Sequence, residues 1–168
     1  DFDGTIIWAD TLGGIATDEA YSVQEISDGG FIVAATTRSM GAGGYDAYII
    51  KIDSEGSILW NYTYGGSNDD KAFSIQESED GSTYTFCGKT YSYGSGGSDS
   101  WIVQLDSNGN ELHNFAIGGG LTEYSYCIRL VEDGGYIVTG ETSSIGSGGS
   151  DILLIKTDSH GNTVPFEE

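Results

Sequence analysis

Basic residues are scarce: 6 Lys and Arg stand against 26 Asp and Glu, a formal net charge of −20 over 168 residues. Such a surface repels phosphate backbones, which argues against nucleic acid as a partner. It favours solubility and suits a salty medium or the cell exterior. Proline occurs once. Cysteine occurs twice, as Cys87 and Cys127, which is too few for a disulfide framework. A single Cys87–Cys127 bridge across packed sheets is one expectation, and two buried thiols are the other. No apolar run approaches the roughly 18–20 residues of a membrane helix, and nothing sustains a helical period. The stretch given is not expected to hold a signal peptide. The chain opens on Asp1, as a processed or excised piece would, in keeping with secretion. There are only two histidines, His113 and His160, and no nucleophile elbow. Carboxylate pairs are plentiful, but none stands out as a glycosidase pair. The chain is therefore expected not to be an enzyme.

Glycine and aromatics are abundant, at 27 Gly and 20 Tyr, Phe and Trp. Glycine without a triplet period means many tight turns, and the aromatic content argues against disorder. One domain spans 1–168.

That domain is repetitive. The phrase "DFDGTIIWADTLGG" (1–14) returns as "DSEGSILWNYTYGG" (53–66), as "DSNGNELHNFAIGG" (106–119), and in decayed form as "DSHGNTVPFEE" (158–168). The starts are 52, 53 and 52 residues apart. This divides the chain into units 1–52, 53–105 and 106–157 with a remnant at 158–168, a period typical of repeat architectures.

Each unit reads as four short strands, roughly 20–26, 31–37, 47–52 and 57–64 in the first cycle. Asp28-Gly29, Asp80-Gly81 and Asp133-Gly134 suit tight hairpins, and "DSEG" and "DSNG" suit turns ending in a left-handed glycine. Short links make neighbours antiparallel, giving a four-stranded meander. The third strand is apolar on both faces ("YIIKI", "WIVQL"), so it is expected between layers. The predicted fold is all-β: three repeats of a four-stranded antiparallel meander, as β-propeller-like blades. The alternative is a closed threefold β-prism or trefoil.

The stretch "DGGYIVTGETSSIGSGGSDILLIKTDSHGN" (133–162), with "ILWNYTYGG" (58–66), resembles the glycine-rich repeats of archaeal and bacterial secreted and cell-surface proteins. The resemblance covers nearly the whole chain. It implies propeller-type blades and an extracellular or cell-surface setting, and it brings no catalytic residues.

The two ends are incomplete. Thr5, Ile6, Ile7, Trp8, Ala9, Asp10, Thr11 and Leu12 read as a last strand without earlier strands of its own unit. The other end stops after a third strand, 152–157, followed by a weak continuation with Pro165. The first segment is expected to complete the last unit, in the same chain or in a neighbour. Two chains then make a six-bladed ring, or chains join head to tail into a filament. The expected function is structural or adhesive, through terminal strand complementation between copies. A lectin-like or Ca²⁺-dependent ligand-binding module is the alternative.

The glycine loops "GAGGYD" (41–46) and "GSGGSD" (94–99, 146–151) are not phosphate cradles, because they lead into strands and lack the Lys of a P-loop. The "GKT" at 88–90 has Thr83 where a P-loop needs glycine. Asp46, Asp99 and Asp151 end these loops, and Asp18, Asp69, Asp70 and Glu123 are expected on the same rim. Carboxylates so crowded suit Ca²⁺. Taken singly, they read as caps on local backbone N–H groups. Asn61-Tyr62-Thr63 is a glycosylation sequon on an outer strand. Trp8 and Trp60 hold equivalent places, filled by His113 in the third copy, and read with Trp101 as inter-sheet packing or an aromatic sugar platform.

Overall fold

The computed structural model describes residues 4–163. Their eleven strands form three antiparallel sheets. The first holds β1 (Asp18–Glu25), β2 (Phe31–Thr37), β3 (Asp46–Ile52) and β4 (Ile58–Tyr64) in that order. The second repeats it with β5 (Asp70–Glu77), β6 (Thr83–Thr90), β7 (Asp99–Asp106) and β8 (Glu111–Ile117). The third has β9 (Glu123–Leu130), β10 (Tyr136–Thr142) and β11 (Asp151–Lys156), with no fourth strand among the described residues. The all-β meander repeat predicted from the sequence is thus present. The first three residues of the opening phrase, and Pro165 with the rest of the remnant past 163, lie outside the described residues.

Turn chemistry sets the registers. The Asp-Gly hairpins close with hydrogen bonds such as Gly29 N to Ile26 O at 2.9 Å. In the second kind of turn, Asp53 Oδ1 accepts from Ser57 N at 2.7 Å, Asp106 Oδ1 from Asn110 N at 2.8 Å, and Asp158 Oδ1 from Asn162 N at 2.9 Å. These Asx-type turns account for the "DSxG" phrases without calcium.

The sheets pack face to face in series. Ile26, Ile32, Ala34, Ala47 and Ile49 of the first meet Ile75, Tyr84, Phe86, Trp101 and Val103 of the second. Cys87 and Ile102 of the second meet Ile128, Tyr136, Val138, Leu153 and Ile155 of the third. β7 is buried almost throughout, because a sheet covers each of its faces; β3 is buried too, with the second sheet on one face and Asp10 and Leu12 across from Tyr48 and Ile50 on the other. β11 alternates buried and exposed residues, because only one of its faces is covered. Among the described residues the three sheets close neither a ring nor a threefold prism; packing runs from first to second and from second to third.

One local feature was not anticipated. β1 and β5 each carry a bulge, at Tyr21 and Phe73, and the β9–β10 register slips at Tyr126. The three rings at these equivalent places form a ladder, with centroids 5.1 Å (Tyr21–Phe73) and 5.9 Å (Phe73–Tyr126) apart. The bulges thus add an aromatic ladder along β1, β5 and β9, the edge strands that open the three sheets.

Candidate functional site

Two families of carboxylates stand on one rim, and each has a structural task. Asp18, Asp70 and Glu123 open β1, β5 and β9. Asp70 accepts hydrogen bonds from Gly66 N (2.7 Å), Ser92 Oγ (2.6 Å) and the Thr90 hydroxyl. Asp18 accepts the same set from Gly14 N (2.8 Å), Ser39 Oγ (2.8 Å) and the Thr37 hydroxyl. Glu123 accepts from Gly119 N (2.8 Å), Thr142 Oγ1 (2.8 Å) and Ser144 N (3.1 Å). Each ties the incoming loop to the end of the next strand. The Thr37 hydroxyl and the Gly14 N–H hold Asp18 below the usual carboxylate range. Burial pushes Glu123 up, but hydrogen bonds from Ser144, Gly119 and Thr142 outweigh it and hold it low.

Asp46, Asp99 and Asp151 open β3, β7 and β11 and cap the glycine loops. They accept from Gly43 N (3.2 Å), Ser95 N (3.1 Å) and Ser147 N (3.0 Å). Glycine is required in these loops: Gly41, Gly94 and Gly146 have φ of +103°, +87° and +107°, which L side chains rarely adopt.

The two families meet between sheets. Gly65, at φ +145°, lies where an added Cβ would sit 2.7 Å from Asp46 Oδ1 and 2.8 Å from Asp70 Oδ2. Gly118 stands between Asp99 and Glu123 in the same way, in closer quarters. Each sheet-to-sheet joint therefore contains two carboxylates separated by one glycine. Burial pushes Asp99 up to about 6, against the Ser95 N–H bond and with help from the Glu123 charge. Asp46 is raised as well, by burial first and by the charges of Asp70 and Asp69.

No three His, Cys, Asp or Glu side chains converge to hold a metal among the described residues. Calcium takes six to eight oxygens, whereas these carboxylates face backbone N–H and hydroxyl donors. The expected ion set of Asp46, Asp99, Asp151, Asp18, Asp70 and Glu123 thus resolves into caps and inter-sheet pairs.

The Cys87–Cys127 bridge is also corrected: both thiols are free. Cys87 is buried between the second and third sheets, where burial pushes its thiol far up and Sγ lies 3.6 Å from Ser125 O. Cys127 alternates with Ile128, which faces the second sheet, so its side chain projects to the other face of β9.

Asn61 is exposed on β4, an edge strand, where a glycan has room. Trp101 is buried and donates Nε1–H to Asn114 Oδ1 at 2.7 Å, so it belongs to the core and not to a sugar platform. His113 stacks on Phe115 at 6.0 Å, with His160 edge-on at 6.0 Å.

Residues 5–12 form no strand within this chain. A strand needs a hydrogen-bonded neighbour, and the edge lacking a fourth strand among the described residues, β11, belongs to the third sheet, two sheets away. It nevertheless sits on the first sheet as β4 sits on the second. Trp8 Nε1 donates to Ser54 O at 3.3 Å, and Trp60 Nε1 donates to Ser107 O at 3.2 Å, in equivalent turns. Trp8 lies over Gly56, and Trp60 with Tyr62 lies over Gly109. Gly13 and Gly65 share φ, at +144° and +145°. Between this segment and the first sheet remains an apolar cavity of about 290 Å³ lined by Trp8, Leu12, Val23, Phe31, Val33 and Ile52.

No family model matches the chain, and no curated protein matches it.

Proposed function

We propose that this chain is an extracellular structural or adhesive β-repeat protein, non-enzymatic, whose sheets act as propeller-like blades. It joins other copies head to tail by strand complementation. Residues 5–12 of one copy add a fourth strand to β11 of the previous copy, and the third sheet of that copy packs on the first sheet of the next. Two copies then supply six sheets for a ring, or successive copies form an open array. The extracellular setting rests on the acidic, glycine-rich composition and on the resemblance of the repeats.

One observation carries this reading: among the described residues, segment 5–12 and the third sheet repeat the two halves of the joint found twice between the sheets. The head offers an outer segment already docked as β4 is docked, without its sheet. The third sheet offers three strands with an edge at β11 that is open among the described residues. The outward residues of β11, Ile152 and Leu154, are 83% and 62% exposed, while Ile49 and Ile102, in the place of Leu154 in β3 and β7, are fully buried. Burying each such side chain is worth about 1.5–3 kcal/mol, and each main-chain hydrogen bond adds roughly 1 kcal/mol net. The rival reading, calcium-dependent ligand binding, needs oxygens that the loop aspartates direct at backbone N–H groups.

The test is the native mass of the full chain and of a chain lacking residues 1–14, over a range of concentrations. The full chain should form dimers or longer species, and the shortened chain should stay single. A full chain that keeps the mass of one copy throughout, or a shortened chain that assembles equally well, would overturn the proposal.

A further inference from the structure

The head-to-tail reading leaves open how the joint is sealed on its acidic rim, and the internal joints supply the pattern. Each places the aspartate that opens a third strand opposite the carboxylate that opens the next sheet, with a glycine between. Asp46 and Asp70 meet across Gly65, and Asp99 and Glu123 meet across Gly118. Among the described residues one member of each kind is unmatched. Gly13 shares its φ with Gly65, and the three atoms nearest an added Cβ there all belong to Asp18. Asp151 caps its glycine loop through Ser147 N as Asp99 does through Ser95 N, and no next sheet faces it among the described residues.

We infer that Asp151 of one copy and Asp18 of the next meet across Gly13, forming at the joint between copies a third carboxylate pair. This rests on the head-to-tail reading above and adds to it the contact that sets register. The occupant of the tail face is a second copy of this chain, because the joint continues an interface the chain builds twice within itself. The new pair resembles Asp99–Glu123 more than Asp46–Asp70. Asp69 stands beside Asp70 and adds its charge to Asp46, whereas Thr17 and Thr122 hold that place beside Asp18 and Glu123. Glu123 is the charge that acts on Asp99, and Asp18 meets hydroxyls and N–H groups from Thr37, Ser39 and Gly14, with its charge reaching Tyr48 and with Asp10 and Glu19 lining the same hollow. The nearest cation along the sequence, Arg38, has its guanidinium over the Tyr45 ring, 5.1 Å from the centroid.

Closing such a pair brings two carboxylates together out of water, so joining takes up a proton. The joint should therefore tighten as pH falls through the range in which the internal pair keeps its proton, up to about 6. A proton held one pKa unit more tightly after joining is worth about tenfold in affinity.

The experiment is sedimentation of the full chain at about pH 7.5 and about pH 5, for the natural sequence, Asp151→Asn and Glu132→Gln. The amide in Asp151→Asn keeps an oxygen for Ser147 N, and circular dichroism checks that the sheets of this variant are intact. Glu132 is exposed, so Glu132→Gln controls for loss of one acidic charge. The natural chain and Glu132→Gln should join about tenfold more tightly at the lower pH. Asp151→Asn should join more tightly than the natural chain at the higher pH and lose most of the pH difference. Joining with the same pH dependence in all three chains would overturn this inference and leave head-to-tail assembly standing. Single copies at every pH would remove the assembly reading and this inference with it.

Discussion

β7 and β11 occupy the same place in their sheets, with nearly the same phrase before them, and they live in different surroundings. β7 lies between layers, with Trp101 and Val103 facing the first sheet and Ile102 facing the third. β11 turns Leu153 and Ile155 to the second sheet and leaves Ile152 and Leu154 to solvent. The repeat writes apolar residues on both faces of every third strand, whether or not a neighbour is present. What the residues contribute depends on the neighbour. A face that is core in the middle sheet is exposed on the third sheet among the described residues.

Equivalent truncations in the two strands give the sharpest contrast. Ile102→Ala should cost roughly 2–5 kcal/mol in chemical denaturation, since it opens a cavity in a packed interface. Leu154→Ala should change the stability of a single copy by less than about 0.5 kcal/mol, since its side chain is 62% exposed. It should weaken joining between copies all the same. Equal costs for the two in a single copy would mean that the tail face is already covered.

The middle and end sheets also differ in how far they were legible. Strand limits came through well, because Asp-Gly turns and alternation act within a few residues. The predicted 31–37 is β2 to the residue, and 47–52 misses only Asp46 of β3. Thr5–Leu12 did not form a strand, because self-similarity reports which side chains recur, whereas a ladder needs a partner. The shared rim of the carboxylates was legible from topology. Their division of labour was not, since it depends on which hydroxyl lies within reach: Thr90 and Ser92 for Asp70, Thr142 and the Ser144 backbone for Glu123. A signal existed in the fixed four-residue step from the second glycine of each Gly-Gly pair to the carboxylate, in 14–18, 66–70 and 119–123. The bulged aromatics Tyr21, Phe73 and Tyr126 share one position too, but a bulge leaves no mark in composition.

The inter-sheet carboxylates make a second contrast, between a buried aspartate and the turn aspartates. Folded Asp99 keeps its proton to about pH 6, while an unfolded aspartate releases it near 3.8. Between these values the folded state binds more protons, so stability falls as pH rises from about 4 to about 6, by on the order of 2 kcal/mol. The turn aspartates act in the opposite sense. Hydrogen bonds from the Ser82 hydroxyl and N–H hold Asp80 at about 2, so its contribution is present above about pH 4 and lost below. Denaturation of Asp99→Asn across pH 3–7 should show the fall between 4 and 6 reduced and the acid loss unchanged. An unaltered profile would mean that Asp99 is ionised in the folded chain.

The smallest contrast is between two asparagines at one position of the repeat. Asn114, on β8, accepts the Trp101 indole N–H at 2.7 Å, and its removal leaves a buried donor unpaired. Asn61, on β4, is exposed, and the residue of β3 matching Trp101 is Tyr48, which has no indole to offer. Asn114→Ala should therefore cost about 1–3 kcal/mol, the penalty for an unsatisfied buried donor. Asn61→Ala should stay within about 0.5 kcal/mol, as a surface change does. The same Asn61 variant, made in a glycosylating host, should lose one glycan mass relative to the natural chain if the sequon is used. Equal costs at the two positions would show that β4 and β8 are held alike.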